Sequence, residues 1–475
     1  MVRKTTQITD ADLQQLMKHF SALRQKQHPS VMANPTKDKP SVIVIGAGMA
    51  GIAAANKLAN AGLHVILIEA RDRIGGRVLT LKMNKGTYIE LGAQYLHGIK
   101  ENPLFMAMSK YNVMVKPMRR EKYSVFDENG KVIPQEFLIK YIEQYKNEIK
   151  SLMQQRLSDT KDRFTAEEMK DILEQVEGTA TFEEENLKEL IKKLGRHEVH
   201  AETLFHYKMG LDKTEGESNF IVTNGFGNML NAMLKEAEAT GNLEVCLKAE
   251  VTSIHCDAHQ TVVGLKNKKS YQADAVICTV PLSVLQEGNI HFDPPLGDAK
   301  KTAIMRLKMA NHNKVILFYK KVFWPNESHF VIPYDRTHQA WIDILNLNYF
   351  TEEETPVLAI SIHESKELSH QSEKYILHYF NRVIEMLFPK GYEAPQHSWV
   401  THWEDEPFSL GAYCYHPEGS SLDDNTEIAR PRGRLCFAGE HTHRAPASIQ
   451  GAYLSGLEAS KQVVDQLIKA LSVLD

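Results

Sequence analysis

The segment VIVIGAGMAGIAAANKLANAGLHVILIEARDRIGGR, Val42 to Arg77, constrains the fold more tightly than any other part of the chain. Val42 to Ile45 is a β-branched run suited to a strand buried on both faces, and Gly46, Gly48 and Gly51 follow it in GxGxxG spacing. The first glycine permits a tight turn and the second lets backbone amides reach a pyrophosphate. The third lets a helix pack closely on the sheet, its N-terminus aimed at the phosphates. An alanine-rich helix is expected from about Met49 to Ala61, closed by Gly62, and a second strand, His64 to Ile68, delivers Glu69. A carboxylate about 20 residues past the first glycine suits the hydroxyls of an adenosine ribose and repels a phosphorylated one. GxGxxG alone is weak evidence. Strand, turn, helix, strand and acid in that order define a dinucleotide-binding βαβ unit, and with it an α/β fold.

A chain of 475 residues is too long for one core and calls for two or three domains. Lys plus Arg at 56 against Asp plus Glu at 60 gives a net charge of −4 without a long basic run, which argues against nucleic acid as a partner. Five cysteines, Cys246, Cys256, Cys278, Cys414 and Cys436, form no CxxC pair, so neither a disulfide framework nor a metal site is expected. The expected setting is a reducing, cytoplasmic one. No signal core is apparent, and no apolar run reaches the ~18 residues needed to span a bilayer.

Residues 1–38 read as an appendage. Thr9 with Asp12 forms a capping-box pattern, and Leu13, Leu16, Met17, Phe20 and Leu23 recur at helical spacing before a linker, so a short helix docked on the body is expected. A hairpin is expected around Asn84 to Gly86, and charged helices from about Phe137 to Gly195. Strand texture returns at NFIVTNGFG, LEVCLKAEVTSIHC, TVVGLKN and DAVICTVPL, a second helical and strand-rich block begins near Lys300, and the tail RLCFAGEHTHRAPASIQGAYLSGLEA is again strand, glycine turn and helix. The nucleotide-binding domain is therefore expected in three pieces, 39–110, 219–299 and 397–475. Interleaved with them, 111–218 and 300–396 would form an α+β substrate domain. HEVH at His197 to His200 and HTH at His441 to His443 lack HExxH spacing and are read as surface or structural histidines.

Five motifs in order, EARDRIGGR, LGAQYLHG, HNKVILFYKKVFW, WEDEPFSLGAY and FAGEHT, resemble those of the flavin-dependent amine oxidases: monoamine oxidases, polyamine and spermine oxidases, and the catalytic core of flavin-dependent histone lysine demethylases. The resemblance covers roughly Lys39 to Leu467. It implies a Rossmann-type FAD-binding domain and assigns Gly46, Gly48, Gly51, Glu69, Ala70, Arg71, Gly76, Arg77, Gly92, Ala93, Val251, Trp403, Gly439 and Glu440 to FAD. Forked guanidinium donors suit phosphate and flavin oxygens better than a point charge would. For Val251 the implied role is backbone contact with adenine, though a buried strand valine would look the same. Trp403 packs near the flavin in this family. Monoamine oxidases tether flavin through a cysteine just before the cage tyrosine; Ala412 stands there in this chain, which implies non-covalent FAD.

The catalytic residues implied are Lys314, Tyr413 and His97. A lysine inside an apolar strand is costly to bury and needs a reason, and in this family its counterpart holds a water at flavin N5. Tyr413 matches one wall of an aromatic cage for the substrate amine. His97 matches a pocket position near the substrate in polyamine oxidases, a subfamily that NPLF at Asn102 to Phe105 also resembles. After FAGEHT the text departs from the family: HRAPASIQGA places Ala447 or Ser448 where a second cage wall would stand and Gln450 in place of histidine, which implies a one-sided cage. Three functions follow, in order: a polyamine oxidase using O2; a monoamine or protein-lysine oxidase of the same fold; and a flavin-binding interaction protein without turnover.

Overall fold

In the computed structural model, five parallel strands run in the order Leu243–Cys246, His64–Ile68, Ser41–Ile45, Ala275–Cys278 and Leu435–Phe437. The structure describes residues 7–25, 39–134 and 219–472, except 84–85, 101, 120–121, 258–260, 336–337, 339, 364–367, 369–370 and 418, and in addition 147–148, 151–152 and 175. Strand order reverses at Ser41–Ile45, so its C-terminal end and that of Ala275–Cys278 open a crevice at the switch point, where doubly wound sheets bind ligands. The chain places Gly46 there. Ser41 to Ile45 is buried throughout, as expected of a strand covered on both faces.

One face of this sheet carries the helices Met49–Asn60, Phe226–Ala239 and Ile449–Ser472. Small residues on Met49–Asn60 let the C-terminal helix approach its backbone: a Cβ on Gly456 would lie 2.2 Å from the Ala50 carbonyl oxygen. The N-terminal helix Asp10–Gln25 docks on the same layer, burying Leu16 and Phe20, and its capping box is formed, with Thr9 N donating to Asp12 at 2.8 Å and Asp12 N to Thr9 Oγ1 at 3.2 Å. Against the other face lies a second core shared with a four-stranded sheet in which Val251–Cys256 pairs with Thr261–Leu265.

A seven-stranded sheet forms the other half of the molecule, in the order His397–Val400, His312–Phe318, Val357–His363, Ala340–Asn346, His329–Asp335, Tyr123–Phe126 and Val132–Ile133. The helix Glu373–Leu387 covers one face with Ile376, Phe380, Val383, Ile384 and Leu387. Facing the other way is a smaller apolar cluster built on Ile316, Leu345 and Ala359, joined by Ile89, Leu91 and Ile221. Strand Tyr95–His97 sits in a separate three-stranded sheet with Asn219–Val222 and Val115–Pro117.

The helices expected over 137–195, the HEVH segment and the tip of the hairpin at 84–85 lie outside the described residues. The hairpin's arms, Thr80–Lys82 and Tyr88–Glu90, pair antiparallel as expected. All five cysteines are free thiols, and no described helix is long and apolar enough to cross a membrane.

Candidate active site

The glycine turn is built for close approach. Gly46 has φ +99°, and a Cβ on Gly51 would fall 1.8 Å from the Gly46 carbonyl oxygen, which leaves room for no larger residue. Gly48 caps Met49–Asn60 without a side-chain bond, so the first-turn amides are left to an anion. A second glycine turn closes against the first, with a Gly48–Gly75 bridge and a Cβ position on Gly76 3.4 Å from Gly48 Cα. Glu69 is buried and accepts from Ala47 N at 2.7 Å and Arg71 N at 2.8 Å, tying the phosphate turn to the second strand. A carboxylate offers about four lone-pair sites, so acceptor capacity for a sugar remains. Ala70, between these two residues, is half-buried.

Two arginines and the late FAGE turn complete the cleft. Arg71 donates to Glu406 at 3.2 Å and Ser409 at 3.0 Å, its guanidinium near the face of Phe408. Arg77 Nη1 donates to Ala412 O at 2.9 Å and Glu440 Oε1 at 2.8 Å, while its other side-chain nitrogens have no partner among the described residues. Burial pushes the Glu440 carboxyl up, yet Arg77 and neighbouring donors outweigh this and hold it at about 2. Its oxygens also receive Cys414 N and Ala447 N at 3.3 and 2.9 Å, so the carboxylate organises the turn more than it reaches into the cleft. Gly439 has φ +134°. Gly92 lies so close to Arg77 O that a Cβ would approach to 1.9 Å, and Trp403 stands beside it, its Nε1 donating to Leu91 O at 3.2 Å. Ala93 N donates to Arg77 O at 3.2 Å, whereas Val251 is buried opposite Leu265 with its side chain in the second core. Glycine cradles, uncapped amides and spare guanidinium donors together fit a dinucleotide such as FAD.

Lys314 is 4% exposed, and its ammonium is held by three acceptors from one segment: Glu90 O at 2.9 Å, Gly92 O at 2.8 Å and Gln94 Oε1 at 2.7 Å. The expected motifs LGAQ and HNK thus meet at one atom. All three ammonium protons are committed, and Gln94 is the single side-chain acceptor among them. Burial lowers the Lys314 pKa, partly offset by Glu90, whose own carboxyl is raised by burial while it caps the helix Phe226–Ala239 through Phe226 N at 2.6 Å.

Tyr413 has a partner the sequence did not reveal: the His312 ring, edge to face, 5.9 Å between centroids. His312 precedes Lys314 by two residues and shares its face of the strand. Burial and the Lys314 charge depress the imidazole to about 3, so this wall is uncharged at ordinary pH. Ala447 and Ser448 do not form a wall. Ala447 has φ +59° and Ser448 is buried, bonding Ala445 O at 2.7 Å. His97 Nδ1 lies 2.9 Å from Asn219 Oδ1, and its carbonyl accepts from Gln450 Nε2 at 2.8 Å. His441 is buried, its carbonyl accepting from Asn425 Nδ2, and His443 Nδ1 accepts from Ala445 N. His402, Glu404 and Asp405 bring ligand atoms within 4.8 Å of one another, but Asn313 already holds both oxygens of Glu404 at 2.9 and 2.7 Å, which accounts for the cluster without an ion.

Two glycine turns, a buried lysine and an aromatic pair make up the candidate site. The model of the flavin-containing amine oxidoreductases matches residues 49–464, and this chain belongs to that family; its cofactor is FAD. Among curated relatives it is 30% identical to polyamine oxidase 5 of Oryza sativa subsp. japonica, over 92% of this chain and 90% of that one. It is also 30% identical to lysine-specific histone demethylase 1 homolog 2 of Arabidopsis thaliana, over 89% of this chain and 58% of that one. A solved triple mutant of putrescine oxidase, redesigned in its cofactor binding, superposes with a TM-score of 0.72 at 18% identity, covering 90% of this chain and 99% of that chain, which establishes the shared fold.

Proposed function

We propose that this amine oxidase acts on polyamines and binds FAD without a covalent bond. Residues 39–110, 219–299 and 397–475 are assigned to the cofactor, and 111–218 with 300–396 to the substrate. The turn at Gly46, Gly48 and Gly51 would take the pyrophosphate, Glu69 the ribose, and the free donors of Arg77 the dinucleotide's oxygens. When bound, FAD supplies a hydride acceptor at N5 for the carbon beside the amine, leading to an imine that water hydrolyses to an aldehyde and an amine, with O2 reduced to H2O2.

Only a neutral amine has a lone pair to assist loss of hydride, and an aliphatic amine has a pKa of about 10. Tyr413 and neutral His312 would replace water around the amine, and that desolvation favours the reactive neutral form. The Lys314 ammonium would orient a water at the reacting carbon once Gln94 yields its place. His97, beside Asn219, would meet a distal nitrogen nearer the mouth. Cys414 does not reach the flavin in this reading, since it is fully buried in the second core.

The observation that carries the proposal is Lys314 clasped by the 90–94 segment beside the Tyr413–His312 pair. Peroxide release from a panel of amines tests it. Turnover of spermine, its acetylated forms or putrescine in preference to benzylamine is expected; benzylamine alone as substrate would move the assignment to a monoamine oxidase, and no turnover to a binding protein. Acid precipitation should release the flavin into the supernatant.

A further inference from the structure

Gln94 has a pinned backbone and a lightly held side chain. Ala93 N donates to Arg77 O at 3.2 Å, and Gln94 O accepts from Val222 N at 3.2 Å, so the main chain is fixed on both sides of the residue. The side chain is 3% exposed, and its Oε1 takes one proton of the Lys314 ammonium at 2.7 Å. Its Nε2 bonds none of the described residues and is not sealed from space, so one hydrogen bond alone holds the amide where it is.

The other two acceptors of that ammonium are rigid. Glu90 O belongs to strand Tyr88–Glu90, which pairs with Thr80–Lys82, and the Glu90 carboxylate is itself tied to Thr80 Oγ1 at 2.8 Å and Phe226 N at 2.6 Å. Gly92 O belongs to a residue packed so closely on Arg77 O that a Cβ would approach to 1.9 Å. An ammonium has three donors and no more. With two committed to backbone carbonyls that cannot withdraw, Lys314 can serve a water or an oxygen molecule only through the proton that Gln94 holds.

Resting on the amine oxidase reading, we propose that Gln94 is a gate on Lys314: a positioning residue whose amide, by covering or releasing the third proton, sets how fast O2 reoxidises the reduced flavin. In that half-reaction two electrons and two protons pass from reduced flavin to O2, giving oxidised flavin and H2O2. Negative charge builds on the oxygen as the electrons arrive, and a cationic donor aimed at it lowers the barrier. While the amide sits on Lys314, that donor is spent on a neutral carbonyl and the space beside the ammonium is filled. When the amide swings away, proton and space are released together.

Two measurements on the FAD-loaded full chain test the gate. One is the rate at which O2 restores the absorbance of flavin reduced with stoichiometric dithionite, so that no amine is involved. The other is the affinity of the oxidised flavin for sulfite, which adds to N5 without turnover and leaves negative charge on the ring that a nearby cation stabilises. Gln94→Ser should speed reoxidation roughly tenfold or more, the worth of one charge-assisted donor, and tighten sulfite binding in the same direction. Adding Lys314→Met to Gln94→Ser should cancel both gains, which a mere change of packing would leave in place. Unchanged or reduced values in Gln94→Ser, or gains that survive Lys314→Met, overturn the gate while leaving the amine oxidase reading intact. Wild-type flavin that no amine reduces would instead sink the underlying reading and the gate with it. Should the serine chain fail to retain flavin, Gln94→Asn, one methylene shorter and so drawn back from the ammonium, carries the same test with the same outcomes.

Discussion

Arg77 Nη1 lies 2.8 Å from Glu440 Oε1, joining the Gly75–Gly76 turn to the FAGE turn across 363 residues of chain. Glu440 also receives two backbone amides, so the carboxylate is the knot on which three segments converge.

Glu440→Gln should therefore lower stability by about 3 kcal/mol, because it leaves a partly buried guanidinium uncompensated. The pH dependence has a definite sign. A carboxyl held at about 2 when folded, against the ordinary 4.5, stabilises the fold fully above the unfolded value and loses that contribution as pH falls from 4.5 towards 2. Thermal denaturation across that range should show a steeper acid loss in the wild type than in Glu440→Gln; parallel curves would contradict the assignment.

Lys314→Met should slow flavin reduction or reoxidation by roughly a hundredfold while the protein keeps its flavin. Because burial lowers the lysine pKa, the wild type should show an alkaline limb in that half-reaction, below the ordinary lysine range, that the methionine variant lacks. Stopped-flow measurement of the two half-reactions against pH provides the check. Wild-type rates in Lys314→Met would remove the lysine from the chemistry.

Tyr413→Ala should weaken amine binding by about 2- to 30-fold, the range of a cation–aromatic contact. His312, depressed to about 3, should stay neutral, so amine affinity should show no limb from this residue near the ordinary histidine pKa. Titrating a non-oxidised amine inhibitor against the flavin spectrum between pH 5 and 8 reads both effects. A loss of affinity in the wild type near pH 6.5, abolished by His312→Phe, would show that the imidazole does take up a proton.

Leu16 is completely buried between the N-terminal helix and the body. Leu16→Ala should cost about 2 to 5 kcal/mol of stability. Unchanged chemical denaturation in this variant would mean that the helix Asp10–Gln25 contributes nothing to the folded core.

The nucleotide half of the molecule was readable because its constraints are local. Gly46 and Gly51 are required by backbone approach within one turn, and Thr9 with Asp12 by a helix end, so spacing in the chain carries the information. His312 and Gln94 went unread for the opposite reason. Their contacts with Tyr413 and Lys314 are set by strand register and by strands distant in sequence, and a lone histidine in a strand carries no mark of what lies across the sheet. After the FAGEHT turn Ala447 and Ser448 lead into the helix Ile449–Ser472, and the ring against Tyr413 is His312 of the lysine strand, a contact that motif matching did not reveal. His97 was singled out as a pocket residue by motif alone; its place in strand Tyr95–His97 and its contact with Asn219 depend on a pairing the sequence does not announce.

The most direct test of the account is anaerobic mixing of the purified, flavin-loaded protein with spermine and putrescine while the visible flavin absorbance is followed. Rapid bleaching, restored by admitting oxygen with release of peroxide, is the predicted result. A flavin spectrum that stays unchanged with every amine offered would contradict it.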